Sequence, residues 1–576
     1  LINEICMAFN NEYEEKGDAL IIDNYTLSPG SYVEFTLDDN GEVIDIFDVD
    51  KNSDKSQDTY KKFAEKDCLS GLISMNKPID PAKVIHSNNM FSFYVKKENL
   101  DLLSGKLNEK IIEGYYDVLK NPEKKYKGKK NLKLYTKFVE ESSEPDGEFI
   151  DKVQSWIKEN IWKIAGRLKK LDKTYLKLFY QTNIHNYETE SQRYMIPNIY
   201  NSPDYNVKIG KNVFGLSDFN MGLNSKKPYL ENKTRKSKLP LLVDSKTISN
   251  EKRVFDYLMN CSAETKNCIY VDKNMYPLKA KESMEADFSG HILRVKKGKE
   301  VEILDYDSVN IYKYKLKKNI EIKPILNEGI GEKFELLVGN MLYLKEVKRN
   351  VNEVFFNKFL ETNFFTEPGD ISLNDSKVKE CLLKYRHGFY TWFFKGEDSL
   401  VKTFWDSMTL YLLRNSIAQG NVNKAVNQFN LRYALIGYFN EGGKKNMNSI
   451  VHDARRNVDE KINIKEDNGD KVKIGNDAEY YFCIGQLLKY FYSLNKSANK
   501  SCSFINAFLN SENDRFIKER LRRLFVKYNY TIKPHLKFNN LYCMILAYVP
   551  ENEVDQDSII AGFLSPSLIY KKGEEN

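Results

Sequence analysis

Apolar and polar positions alternate differently along this chain, and the differences divide it into predicted elements. The clearest short signal is SYVEFTLDDNGEVIDIFDV (31–49), where two half-alternating runs flank Asp39-Asn40-Gly41. Those turn residues tolerate positive φ, so the spacing predicts a β-hairpin. A helical period follows over 58–75 and stops at Gly71, and MFSFYVKK (90–97) reads as a strand. Between them, Pro78 and Pro81 lack donors and bias their predecessors away from helix, which predicts an ordered loop over 76–89. Helical spacing returns over 99–120 and 149–181, the second with Trp156, Ile157, Ile161, Ile164 and Leu168. Residues 183–245 are rich in Asn, Pro, Gly and Tyr with little periodicity. A long irregular stretch inside a folded protein is more often functional than idle.

HILRVKKGKEVEILDYD (291–307) predicts a second hairpin, and IYKYKLKKNIEIKPIL (311–326) continues its sheet. Beyond residue 350 the period becomes helical, through VNEVFFNKFLETNFF, DSLVKTFWDSMTLYLLRNSI and VNKAVNQFNLRYALIGYF to Gly442-Gly443. The last stretch, 447–576, is helical again and reads as a compact bundle able to bury its own core. The expected fold class is therefore α+β and multidomain. Four parts are expected: a mixed N-terminal part over 1–245, a β-rich middle over 246–350, a helical connection over 351–446, and the C-terminal bundle over 447–576.

A chain of 576 residues exceeds what one core serves, in keeping with that division. With 41% hydrophobic and 29% charged residues it falls among globular proteins. No window approaches the roughly 18 apolar residues of a membrane span, and no basic segment followed by an apolar one suggests secretion. Eight scattered Cys fit a reducing compartment, so a cytoplasmic location is expected.

Net charge is only +7, but its distribution is uneven. Residues 1–60 hold 15 acidic residues against three lysines. Three short segments are the reverse: 121–137 has seven Lys and one Glu, 224–240 has six basic residues and one Glu, and 514–527 has six basic and two acidic. Charge gathered in this way makes local positive surface on a nearly balanced protein, as a phosphate-binding channel requires.

Enzymatic motifs are missing. There is no Walker phosphate loop and no G-x-S-x-G elbow, and Gly329-Ile330-Gly331 lacks the third glycine of a dinucleotide site. His452-Asp453 stands apart from the other five His, so a metal-dependent nuclease there is the alternative rather than the main reading. Cys261 and Cys268 are separated by six residues with no second pair near, which favours free thiols over zinc. No cofactor, metal or catalytic residue is expected. A protein-only scaffold whose lysines merely solubilise it is the remaining alternative.

Positive features point to nucleic acid. In DRFIKERLRRLFVKY, Phe516, Ile517, Leu521, Leu524 and Phe525 make one helical face. Arg515, Lys518 and Arg522 share helical spacing, with Arg520, Arg523 and Lys527 beside them, which suits a phosphate backbone. Lys124, Lys125, Lys127, Lys129, Lys130 and Lys133 form a further backbone candidate, where Tyr126 and Tyr135 can stack on bases, as Tyr229 can in the 224–240 segment. The 76–89 loop offers Asn76, Lys77, Lys83, His86, Asn88 and Asn89, donors and acceptors that fit base edges. Its bland reading is a turn capped by Asn88 and Asn89.

SGLISMNKPIDPAKVIHSNNMFSFYVKK, then FGLSDFNMGLNSKKPYLENKTRK, then the helical tail through AEYYFCIGQLLKYFYSLNKS to SIIAGFLSPSLIY resemble, in order, the large subunit of type I-B CRISPR surveillance complexes (Cascade). The likeness spans nearly the whole chain but rests on segment order rather than one signature. It implies a non-catalytic subunit that checks duplex DNA for a protospacer-adjacent motif, helps unwind it, and stabilises the R-loop for a separate helicase-nuclease. Its implied partners are crRNA, target double-stranded DNA and the backbone, handle-binding and small subunits. The resemblance adds Asn220, Asn224, Lys226, Lys227, Lys233 and Arg235 as motif or guide-handle candidates. It also implies a C-terminal part like the small subunit, with Met447 as a candidate internal start.

Overall fold

A computed structural model describes residues 2–126, 129–201, 206–210, 212–218, 242–298, 301–326, 335–440, 446–465, 472–495, 502–533 and 535–570. The protein is mixed α+β, with several small sheets and a helical C-terminal region. It groups into two compact units, residues 1–279 with 290–308, and residues 280–289 with 309–576. Residues 246–350, expected as one β-rich domain, are divided between the two. Among the described residues no helix is long and apolar enough to cross a membrane.

The first unit is built on β1 (Gly30–Phe35), β2 (Phe47–Val49), β3 (Ser92–Lys96) and β4 (Tyr175–Tyr180), in the order β2-β1-β4-β3. β1 runs parallel to β4, and the other pairs are antiparallel. The expected hairpin over 31–49 forms as the β1–β2 pair, but its connection is long. It is pinned to the helix Gly147–Gly166, where Trp156 Nε1 donates to Asp39 O at 2.9 Å and Gly41 N to Asn160 Oδ1 at 3.0 Å.

Three local expectations change. The helix expected over 149–181 ends at Gly166, and YLKLFY forms the central strand β4. A strand buried on both faces carries a nearly continuous apolar run, which periodicity alone does not distinguish from helix. The helix expected from 99 begins at Glu109, capped by Asn108, whose side chain accepts from Ile111 N. The irregular region contains a helix, Ile184–Asn198, whose buried face is Tyr187, Glu190, Arg193 and Tyr194 rather than aliphatic. Arg193 Nε lies 3.0 Å from both Glu190 oxygens, so the pair is buried together and leaves no hydrophobic stripe in the sequence.

Short strands β5 (Val207–Ile209), β6 (Asn212–Gly215) and β7 (Val243–Asp244) follow. Next come β8 (Cys268–Val271), β9 (Met275–Leu278), β10 (Phe288–Lys297) and β11 (Val301–Tyr312), in the order β11-β10-β8-β9. β10 and β11 form the second expected hairpin. β8 and β10 share a core with Phe9 of the helix Ile2–Lys16 and Leu258 of the helix Ser245–Ala263.

In the second unit, β12 (Lys315–Ile322) does not continue that sheet. It pairs antiparallel with β13 (Gly339–Tyr343). Helices Leu344–Phe356, Ser376–Lys395, Ser399–Ala418 and Val422–Phe439 precede the last group, from Met447–Ile462 to Gln556–Leu564. The expectation that residues 447–576 bury their own core is corrected here. Leu413, Ile417, Ala425, Val426 and Phe429 belong to the same cluster as Val451, Phe482 and Ile559. The helix Asp477–Leu494 approaches Gln556–Leu564 at paired glycines. A Cβ on Gly485 would lie 2.2 Å from Ile559 O, and one on Gly562 2.2 Å from Phe482 O.

Candidate nucleic-acid interface

The 76–89 loop is assembled around Asp80, which sequence reading passed over. Its buried carboxylate accepts from Ala82 N at 2.8 Å, Val84 N at 2.6 Å and Ile85 N at 3.0 Å. That arrangement folds the loop back on its own unit and decides the fate of the candidates in it. Asn88 and Asn89 are each 1% exposed. Asn88 Nδ2 donates to Leu69 O and Gly71 O at 3.0 and 2.8 Å, tying the end of the helix Asp58–Ser70 to the loop. Asn89 Oδ1 accepts from Phe91 N and Ser92 Oγ at the start of β3. Neither amide is presented to an external base.

Lys77 Nζ donates to Asn198 O at 2.8 Å and to Tyr200 O, with Asp218 Oδ2 3.5 Å away. Burial lowers its pKa against the pull of that carboxylate. His86 bridges Tyr175 Oη at 2.6 Å and Lys83 O at 2.9 Å. Since Lys83 O only accepts, Nε2 carries the proton in the neutral ring. Burial lowers the His86 pKa, which keeps the ring in that form. These four side chains therefore clasp the loop to its unit, and their expected role at base edges is corrected. Asn76 and Lys83 remain exposed, Lys83 with φ 59°.

In the lysine segment, Lys124 is exposed but paired with Asp117 at 2.6 Å. Lys125 is drawn inward and donates to Lys77 O at 3.2 Å and to Pro78 O. Tyr126 and Tyr135 are buried with ring centroids 5.6 Å apart, so stacking on bases is replaced by packing on each other. Lys133 is exposed on the helix Lys129–Glu141. Lys127 and the side chains of Lys129 and Lys130 lie outside the described residues, as do Asn220, Asn224, Lys226, Lys227, Tyr229, Lys233 and Arg235.

The helix Asp514–Tyr528 keeps more of its expected surface. Ile517 and Leu521 are buried, Leu524 and Phe525 pack partly against the same core, and Asn513 caps the start by accepting from Phe516 N. Arg515, Arg522 and Arg523 are exposed on the outer side. Arg523 Nε contacts Glu519 at 3.2 Å. Arg515 and Arg522 have no ion-pair partner among the described residues. Two candidates are spent internally: Lys518 reaches Asp514 at 2.8 Å and Tyr548 O, and Arg520 reaches Ala507 O and Ser511 Oγ.

Phe516, expected on the core face, is 48% exposed, and Tyr530 just past the helix is 97% exposed. Exposed aromatics on the same segment as free guanidinium groups can stack on bases while those groups neutralise phosphates. Tyr530 was missed because nothing in its sequence neighbourhood separates it from a packing tyrosine.

Cys261 and Cys268 are both buried, and burial pushes the Cys261 thiol up to about 12. His452 and Asp453 are exposed on the helix Met447–Ile462, with Nδ1 and Oδ1 3.8 Å apart. Among the described residues no three His, Cys, Asp or Glu side chains gather where a metal ion would sit. No family model, curated protein or solved structure matches the chain.

Proposed function

We propose that this protein is the non-catalytic large subunit of a crRNA-guided, type I-B-like interference complex in the cytoplasm. In this reading it recognises a short motif in duplex DNA, helps open it and stabilises the R-loop for a separate helicase-nuclease. crRNA, target DNA and the other complex subunits are its partners. Guide pairing supplies the sequence specificity, so the protein needs backbone neutralisation and base stacking more than acid–base chemistry. The observation that carries the proposal is the outer side of Asp514–Tyr528, where exposed Arg515 and Arg522 have no ion-pair partner among the described residues and the rings of Phe516 and Tyr530 are also exposed. The order of sequence segments resembling the Cascade large subunit supports the particular complex.

The test is target binding by the complex reconstituted with crRNA, measured across a salt series. Arg515→Glu with Arg522→Glu is expected to reduce the slope of log K against log salt by about 1–2, since each lost phosphate contact removes about 0.9. An unchanged slope discards this helix as a nucleic-acid path. Incubating the protein with Mn²⁺ and labelled DNA addresses the alternative, because cleavage abolished by His452→Ala would make it a nuclease.

A further inference from the structure

The second unit holds a cleft of about 780 Å³, half polar and half apolar in its lining, which the basic segments did not point to. It lies where the helices Ser376–Lys395 and Val422–Phe439 begin, and its walls include Asn357, Ser372, Asn374, Gln419, Asn421 and Asn423. That volume is within the roughly 300–1,000 Å³ of ligand clefts. Only two charged side chains line it, Asp375 and Lys424, and each is spent inside the protein. Asp375 Oδ1 caps its helix by accepting from Lys377 N and Val378 N, while Oδ2 accepts from Asn415 and Gln419, both at 2.9 Å. Lys424 Nζ donates to Asn357 Oδ1 at 2.6 Å. A lone anion or metal ion therefore finds no uncommitted opposite charge on these walls.

What the cleft does offer is neutral and two-sided. Asn374 and Asn423 are exposed and bond to no other described residue, so each presents a free carbonyl and a free amide. Asn421 Nδ2 is committed to Gln419 Oε1 at 3.1 Å, which leaves its carbonyl oxygen open. Phe359 supplies an aromatic wall. Paired donor and acceptor on one planar amide match the edge of a nucleobase, and an aromatic ring matches its face. Exposed Lys358, 3.6 Å from Glu353, and Lys377, over the Tyr411 ring, adjoin the lining in sequence and bring positive charge beside a neutral interior. Lys358 also holds φ 69° next to Asn357 at φ 52°, a left-handed conformation that is strained for a lysine.

We infer that this amide-lined cleft holds unpaired nucleobases of a single strand whose phosphates run past Lys358 and Lys377. The inference rests on the proposed nucleic-acid function and adds a site to it. Asn374→Ala with Asn423→Ala tests it safely, because neither side chain supports the fold. Fluorescence anisotropy on the full chain would compare a ~10-nucleotide single strand with an abasic strand of the same length. The double variant is expected to bind the base-bearing strand about tenfold more weakly and the abasic strand as the wild type does. RNA and DNA versions of the strand identify the source.

Equal losses on both strands, or none on either, overturn the inference. If Arg515→Glu with Arg522→Glu loses binding while the cleft variant does not, the proposed function stands and the cleft assignment falls. If the wild type binds neither strand, the cleft assignment falls, and the proposed function is decided by the reconstituted complex. Binding heat with maltose but not adenosine, abolished by the double variant, would reassign the cleft to carbohydrate.

Discussion

Lys177 Nζ lies 2.6 and 2.8 Å from the two carboxylate oxygens of Asp67, with side chains only 10% and 2% exposed. The pair joins the central strand β4 to the helix Asp58–Ser70. Tyr94 Oη adds a bond to Asp67 at 2.6 Å and Tyr25 Oη another at 3.2 Å, and the ammonium sits 4.7 Å from the centre of the Tyr94 ring. Removing one charge strands the other away from water. Lys177→Met is expected to destabilise the protein by about 3–5 kcal/mol. Adding Asp67→Leu should recover part of that, since a neutral pair is less costly than an orphaned carboxylate. Urea unfolding of both variants measures the difference, and a single-variant cost below about 1 kcal/mol would contradict the network.

Asn88→Ala separates structure from recognition at the 76–89 loop. It removes two donations to the carbonyls of Leu69 and Gly71. A loss of about 1–3 kcal/mol in stability is expected, with nucleic-acid affinity of the folded protein unchanged. Paired denaturation and binding curves read both effects. A binding defect without a stability defect would return Asn88 to the interface.

Lys125 should make stability depend on alkaline pH. Burial, aided by the Lys77 ammonium, pushes its pKa down to about 8, whereas an unfolded lysine titrates near about 10.4. Between those values the unfolded chain holds the extra proton, so stability rises with pH across the window, and the penalty is complete below it. Lys125→Met removes the titration. The stability of the wild type relative to that variant is expected to grow between about pH 8 and pH 10. Urea midpoints at intervals across this range measure it, and a constant difference would count against the buried ammonium.

The fragment Met447–Asn576 tests where the second core ends. Leu413, Ile417, Val426 and Phe429 complete that core from outside the fragment, and Arg432 pairs with Asp557 at 3.0 Å. Produced alone, the fragment should lose on the order of 3–5 kcal/mol against the same helices in the full chain, and bind a hydrophobic dye. Extending it back to residue 399 should restore cooperative unfolding. A stable, dye-silent 447–576 fragment would show that it closes its own core.

Much of the local structure was legible in the sequence. The helix Asp58–Ser70, strand β3, the β10–β11 hairpin and the helices Ser399–Ala418, Val422–Phe439 and Asp477–Leu494 stand where periodicity puts them, whereas the helix expected over 351–365 runs instead from Leu344 to Phe356 and Ser376–Lys395 was not singled out. β4 was not legible, because YLKLFY is buried on both faces and has no period to read. The helix Ile184–Asn198 was hidden by a buried face that includes Glu190 and Arg193. At the candidate interface, the outer row of Asp514–Tyr528 was visible as charge spacing, while the exposure of Phe516 was not.

By itself the sequence determined the α+β class, most element positions, and the basic spacing of Arg515 and Arg522, since each depends on residues near one another in the chain. Only the tertiary structure decided which polar groups reach solvent. Asn88, Asn89, Lys77 and His86 looked like ligands because their chemistry is that of ligands. Backbone groups distant in the chain, at Leu69, Gly71, Asn198 and Tyr200, together with the Tyr175 hydroxyl, already take up their hydrogen bonds. A polar side chain binds outward only when folding leaves its donors and acceptors unspent, and that depends on neighbours no local pattern records.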